Sequence, residues 1–168
     1  MSEARVSSGY NAMLRDQFRA YRDSRFGERD QVFEPLPQGG AVVFRAAHAD
    51  ANLFVPPFAS PAQRQAVVRL IPRRNRHRHF GSMQSSQALA QSIFGCVAVF
   101  DLVPLLAAVK AECGRPAFGD DLVGTTIQLE QAVSTLGEPR ATSVDVSLDR
   151  PRVAVECKLG ETKFGMCS

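Results

Sequence analysis

Near the end of the chain, Val144, Val146 and Leu148 alternate with Asp145 and Ser147. After Asp149-Arg150-Pro151-Arg152, Val153, Val155, Cys157 and Leu159 alternate with Ala154, Glu156 and Lys158. A period of two is the mark of strands with one apolar face, so this stretch predicts two strands joined by a tight hairpin. Symmetry about the Arg150-Pro151 bond sets Leu148 opposite Val153 and Asp145 opposite Glu156. Two carboxylates then lie about 4.5 to 5.5 Å apart at Cβ, an arrangement that is unfavourable unless something compensates. A divalent cation would do so, and Lys158, two residues beyond Glu156, falls on the same face. Carboxylates holding Mg²⁺ or Mn²⁺ beside a lysine suit phosphodiester hydrolysis, with the metal activating water and the lysine positioning water or phosphate. The alternative is an ordinary solvated face on which Glu156 pairs with Lys158 or Arg152.

The rest of the chain frames this hairpin. Tyr10, Met13, Leu14, Phe18 and Tyr21 recur at helical spacing. The segment from Gln31 to Ser60 is rich in Pro and Gly and predicts loop around a short extended run, Ala41 to Arg45. Ser60, Pro61 and Gln63 form a helix start, with Ser60 as N-cap, Pro61 at the first helical position and Gln63 closing a capping box; Pro72 ends the helix. Ser82 to Gly114 predicts two helices separated around Gly95 and Pro104, with Asp101 as N-cap of the second. Thr126 to Leu136 reads as a third helix stopping at Gly137, although Val123, Thr125, Ile127 and Leu129 also alternate. The apolar stretch Ala88 to Val109 holds Gln91, Asp101 and Pro104, which argues for buried helices over a membrane span.

Charge is unevenly distributed. The chain has 168 residues and a net charge of +3, with 13 basic and 7 acidic residues up to Phe80 and 7 basic and 10 acidic beyond it. Seventeen of the basic residues are Arg, so Lys110, Lys158 and Lys163 stand out. Arg73, Arg74, Arg76 and Arg78 cluster with His77 and His79, either as a solvated loop or as a phosphate-contacting patch on DNA. No third ligand accompanies the two histidines, which leaves a metal pair there unsupported. Cys96, Cys113, Cys157 and Cys167 show no paired spacing, and the N-terminus lacks the apolar run of a signal peptide, so free thiols in a reducing cytoplasm are expected. Cys157 should pack into the sheet, and Ser85 and Ser86 suit helix capping better than catalysis, since no Gly-x-Ser-x-Gly elbow is present.

Asp145, a hairpin, then Glu156-Cys157-Lys158 resembles the signature of the PD-(D/E)XK nuclease superfamily. The run from His79 through Ser85-Ser86-Gln87-Ala88 to Phe94-Gly95, and the tail from Glu156 to Ser168, are similar to a bacterial restriction-endonuclease-like group within it. The resemblance spans most of Arg76 to Ser168. It implies an α/β (α+β) fold with a mixed sheet flanked by helices, Mg²⁺ or Mn²⁺ dependence and DNA cleavage. It makes Asp145 and Glu156 metal ligands, Lys158 the catalytic lysine and Glu130, on a preceding helix, an accessory acidic residue. Ser143-Val144 stands where a proline often precedes the aspartate. The expected organisation is an N-terminal helical and loop region with the basic patch, residues 1–75, followed by a partial nuclease core, residues 76–168.

Only ten residues follow Lys158, whereas a complete core of this kind needs a further strand, a crossover helix and another strand. The expectation is a core incomplete at its C-terminus, with a homo-oligomer or a partner chain completing the sheet. Two other readings remain beside the nuclease: a non-catalytic nucleic-acid-binding remnant, and a small interaction protein without a nucleic-acid partner.

Overall fold

The computed structural model describes residues 3–27, 30–36, 40–133 and 142–159. It combines helices with a small antiparallel sheet, an α+β arrangement. The chain divides into two compact units that are discontinuous in sequence. One comprises residues 1–52, 77–88 and 158–168, the other residues 53–76 and 89–157.

In the first unit, α1 (Glu3–Phe26) buries Leu14 and half-buries Phe18, while Tyr10, Met13 and Tyr21 remain largely exposed. The core consists of Phe33, Val42 and Phe44, packed by Phe18, Phe26, Val32, Leu36 and Met83. Phe26 meets Phe33 and Phe44 edge-on, with centroids 5.1 and 5.6 Å away, a favoured aromatic geometry. The predicted extended run is present but forms only isolated bridges, Phe33 with Phe44 and Val43 with Ser82. Gly81 is required beside it, because a Cβ there would lie 2.6 Å from the Phe44 carbonyl oxygen. The Asn52 amide clasps the same turn, donating to the carbonyls of Phe80 and Ser82 at 2.7 Å each.

The second unit begins with α2 (Pro61–Arg69), whose start follows the sequence expectation in full. The Ser60 hydroxyl accepts the Gln63 N–H, and the Gln63 side chain accepts the Ser60 N–H. Across from it runs α3 (Ser86–Val99), which begins in the first unit, where the Ser85 hydroxyl accepts the Ala88 N–H at 3.2 Å. Gly95 does not break this helix. It lies inside α3, where a Cβ would come within 3.0 Å of Leu70 Cδ1 and 3.4 Å of Val67 Cγ1, so its small size permits the close approach of α2.

The break comes at Asp101, which is not an N-cap. Its φ of +56° places it in the left-handed conformation just past α3, and the Leu102 N–H reaches back to the Val97 carbonyl at 2.9 Å. That six-to-one bond is a helix C-terminal Schellman closure. The following segment is a 3-10 helix, Val103–Ala108, preceded by Leu102 without a side-chain cap.

Three strands follow: β1 (Ile127–Val133), β2 (Thr142–Leu148) and β3 (Val153–Val155), antiparallel in the order β1-β2-β3. Thr126 to Leu136 is therefore not a helix over its described part. The alternation of Ile127 and Leu129 prevails because both residues pack on the core built from Ala90, Phe94, Leu106, Leu122, Val146 and Leu148. Among the described residues no helix is long and apolar enough to cross a membrane.

Candidate functional site

The hairpin register is the one expected from symmetry: Leu148 pairs with Val153, Ser147 with Ala154 and Val146 with Val155. The alternation of the sequence extends to Leu159, but the ladder stops at Val155. At the next position Asp145, only 7% exposed, turns its carboxylate onto the chain beyond the strand, and Oδ2 accepts the Cys157 N–H at 2.7 Å. A side-chain oxygen thus holds the main chain where the ladder would use a carbonyl. Glu156 is exposed, immediately after β3, and Cys157 packs against the apolar core as expected. Lys158 is half-buried and belongs to the chain segment of the other unit. Since residues 156 to 158 are not strand, strand alternation does not set the face of Lys158.

Glu130 lies on β1, correcting its expected place on a helix. The β1–β2 register runs from Leu129 with Val146 to Gln131 with Val144 and passes over Glu130 and Asp145, which lie between those pairs. Glu130 has a φ of +53°, a conformation that costs a non-glycine residue about 1–3 kcal/mol and persists only where its surroundings enforce it. Its Oε2 accepts the Ser143 hydroxyl at 3.2 Å. Glu130 thus lies on β1, Asp145 on β2 and Glu156 just past β3, outside the paired rungs.

The turn after β2 is tied to the segment before β1. The Thr126 N–H donates to Asp149 Oδ1 at 2.7 Å, the Asp149 N–H donates to the Thr126 carbonyl at 3.3 Å, and the Thr125 hydroxyl donates to the Arg150 carbonyl. A groove of about 510 Å³ runs along the hairpin, with Gln128, Gln131, Ser147 and Arg152 among its lining residues. The Ser147 hydroxyl donates to the Gln131 side-chain oxygen. Gln128 and Gln131 are polar positions of β1 that a helical expectation for that segment hides.

The arginine cluster does not behave as one group. Arg73 and Arg74 are exposed on a short 3-10 turn. Arg76 is half-buried and directs its guanidinium inward, Nε donating to the Ile71 carbonyl at 3.1 Å and Nη2 to the Val68 carbonyl at 2.9 Å. It therefore satisfies carbonyls left over at the end of α2. Arg78, in the other unit, is exposed and donates to His79 Nε2 at 2.8 Å.

Among the described residues no three His, Cys, Asp or Glu side chains converge as a metal-binding group. Mg²⁺ commonly keeps several waters and takes one or two protein carboxylates together with substrate phosphates. A buried Asp145, with Glu156 next in the chain to the Cys157 whose N–H it accepts, is a donor set of that size and type. No family model matches the chain, and neither does any curated protein or solved structure.

Proposed function

We propose that the chain is a metal-dependent DNA endonuclease of restriction-like type, or the part of one that bears the catalytic motif. The observation that carries this reading is that Asp145 on β2 holds, through Oδ2, the Cys157 N–H at the centre of the Glu156-Cys157-Lys158 segment. A cation that draws on neighbouring carboxylates offsets their mutual repulsion.

In this reading Asp145 and Glu156 hold Mg²⁺ or Mn²⁺, with Glu130 as an accessory carboxylate. The metal supplies Lewis-acid charge that activates water and offsets charge on the phosphate. Lys158 donates to the attacking water or to a phosphate oxygen. Arg73, Arg74 and Arg78 contact backbone phosphates, whereas Arg76 is occupied chiefly with α2. The three strands would form part of a mixed restriction-endonuclease-like sheet. Strand β3 stands at the edge of the order β1-β2-β3, where a second copy or another chain would add its own strand. Cys96, Cys113 and Cys157 are free thiols, in keeping with work on DNA in a reducing cytoplasm.

One observation favours a second reading, a non-catalytic DNA-binding remnant. Asp145 already spends an oxygen on the Cys157 N–H, a structural duty that needs no metal. The two readings separate on plasmid DNA at low salt with Mg²⁺ or Mn²⁺: an endonuclease nicks it and the Glu156→Gln variant does not. A remnant retards the DNA without nicking it.

A further inference from the structure

Two phenylalanine rings in the second unit face solvent to a degree that folding alone does not reward. Phe54 is 70% and Phe58 80% exposed, whereas burying such a ring is worth about 1.5–3 kcal/mol. Their loop is nevertheless firmly held. The Phe54 N–H donates to Ser92 Oγ at 3.0 Å and its carbonyl accepts the Cys96 thiol at 3.7 Å, both groups on α3. Pro56 and Pro57 stiffen the connection between the rings, and Phe58 rests edge-on against Phe100 with centroids 6.0 Å apart.

A guanidinium sits at the same loop. Arg64, exposed on α2, directs Nη2 to the Pro56 carbonyl at 3.4 Å. It is close enough to Cys96 to oppose electrostatically the upward push that burial gives that thiol. Arg69, further along the same helix, is exposed as well. The loop that carries the rings thus has an exposed guanidinium beside it, and its complement is an anion that also offers flat apolar faces.

We propose that Phe54, Phe58 and Arg64 form a stacking platform for single-stranded DNA. Single strands combine exposed base faces with backbone phosphates, and aromatic rings beside a basic surface are how such strands are bound without sequence preference. A duplex keeps its base faces inside the stack and offers only phosphate. An anionic membrane surface fits less well, because α2 turns its apolar Val67 inward and presents Gln65, Arg64 and Arg69 outward. The platform rests on the proposal that the chain acts on DNA, and it specifies unpaired strand as the preferred form.

The test is fluorescence anisotropy with labelled oligothymidylate and with a labelled duplex of equal length. It uses the full chain in EDTA, so that cleavage plays no part. The expected result is tighter binding of the single strand. Phe54→Ala and Phe58→Ala should each weaken that binding by about tenfold, from the known value of base–aromatic stacking. Phe58→Trp should restore it, which excludes a folding defect as the cause. Arg64→Gln should lower the slope of log affinity against log salt by about 0.7, one phosphate's share for a single strand.

Equal affinity for single strand and duplex overturns the platform, and so do alanine variants that bind like the wild type. Binding to phosphatidylglycerol vesicles in place of the oligonucleotide, or a dimer that the alanine variants dissociate while DNA binding persists, overturns it as well. Nicking activity with no preference for single strands sinks the platform and leaves the nuclease standing. Single-strand binding without any cleavage does the reverse.

Discussion

Asp145 Oδ2 accepts the main-chain N–H of Cys157 at 2.7 Å from a position that is 7% exposed. This bond fixes the point at which β3 gives way to the Glu156-Cys157-Lys158 segment, so structure and proposed chemistry share one carboxylate. The two are separable by substitution. Asp145→Asn retains a side-chain oxygen as acceptor and should change stability by less than about 1 kcal/mol, whereas Asp145→Ala removes the acceptor and should cost about 1–3 kcal/mol. Urea denaturation gives both values. Metal-dependent nicking should be lost in both variants.

Glu130 tests whether its backbone conformation is enforced. At a φ of +53°, glycine is as comfortable as any residue and a β-branched side chain is not. Glu130→Gly should therefore leave the unfolding midpoint nearly unchanged, while Glu130→Val should destabilise by at least about 1 kcal/mol. Equal effects from the two would show that the left-handed turn in β1 is not retained.

Gln91 is fully buried and its amide donates to the carbonyls of Val67 and Val68 at 2.8 and 3.2 Å, joining α3 to the end of α2. Truncation to Ala removes packing volume and one donor from each carbonyl, leaving Val67 with the Leu70 N–H and Val68 with Arg76. A loss of about 2–4 kcal/mol is expected from thermal or chemical denaturation.

Ser60 caps α2 through the Gln63 N–H at 3.2 Å. Ser60→Ala should cost about 1 kcal/mol, and Gln63→Ala should cost less, since it removes only the return bond to the Ser60 N–H. Differential scanning calorimetry of the two variants checks the order.

What was readable in the sequence was what local chemistry decides. Ser60, Pro61 and Gln63 specify their helix start within four residues, and the alternation around Asp149-Arg150-Pro151-Arg152 specifies the pairing of Leu148 with Val153. The errors arose where distant contacts decide. Ile127 to Val133 fits a helical or an extended pattern, and its pairing with β2 selects the strand, which moved Glu130 off a helix. Asp101 has the composition of an N-cap, yet the Leu102-to-Val97 bond makes it the end of the preceding helix. Arg76 looked like its neighbours, and only the fold reveals that two α2 carbonyls claim it. The end of β3 at Val155 depends on Asp145, ten residues earlier and on another strand. The candidate site was thus legible as residue types and hairpin register, and not as the hydrogen bond that shapes it.

The most direct test of the central claim is nicking of supercoiled plasmid at low salt with Mg²⁺ or Mn²⁺, comparing the chain with Lys158→Ala. The account predicts conversion to the open-circular form that requires metal and falls at least about a hundredfold in the variant, as loss of a group that stabilises transition-state charge does. Cleavage that proceeds equally in both proteins, or no cleavage by either, would contradict it.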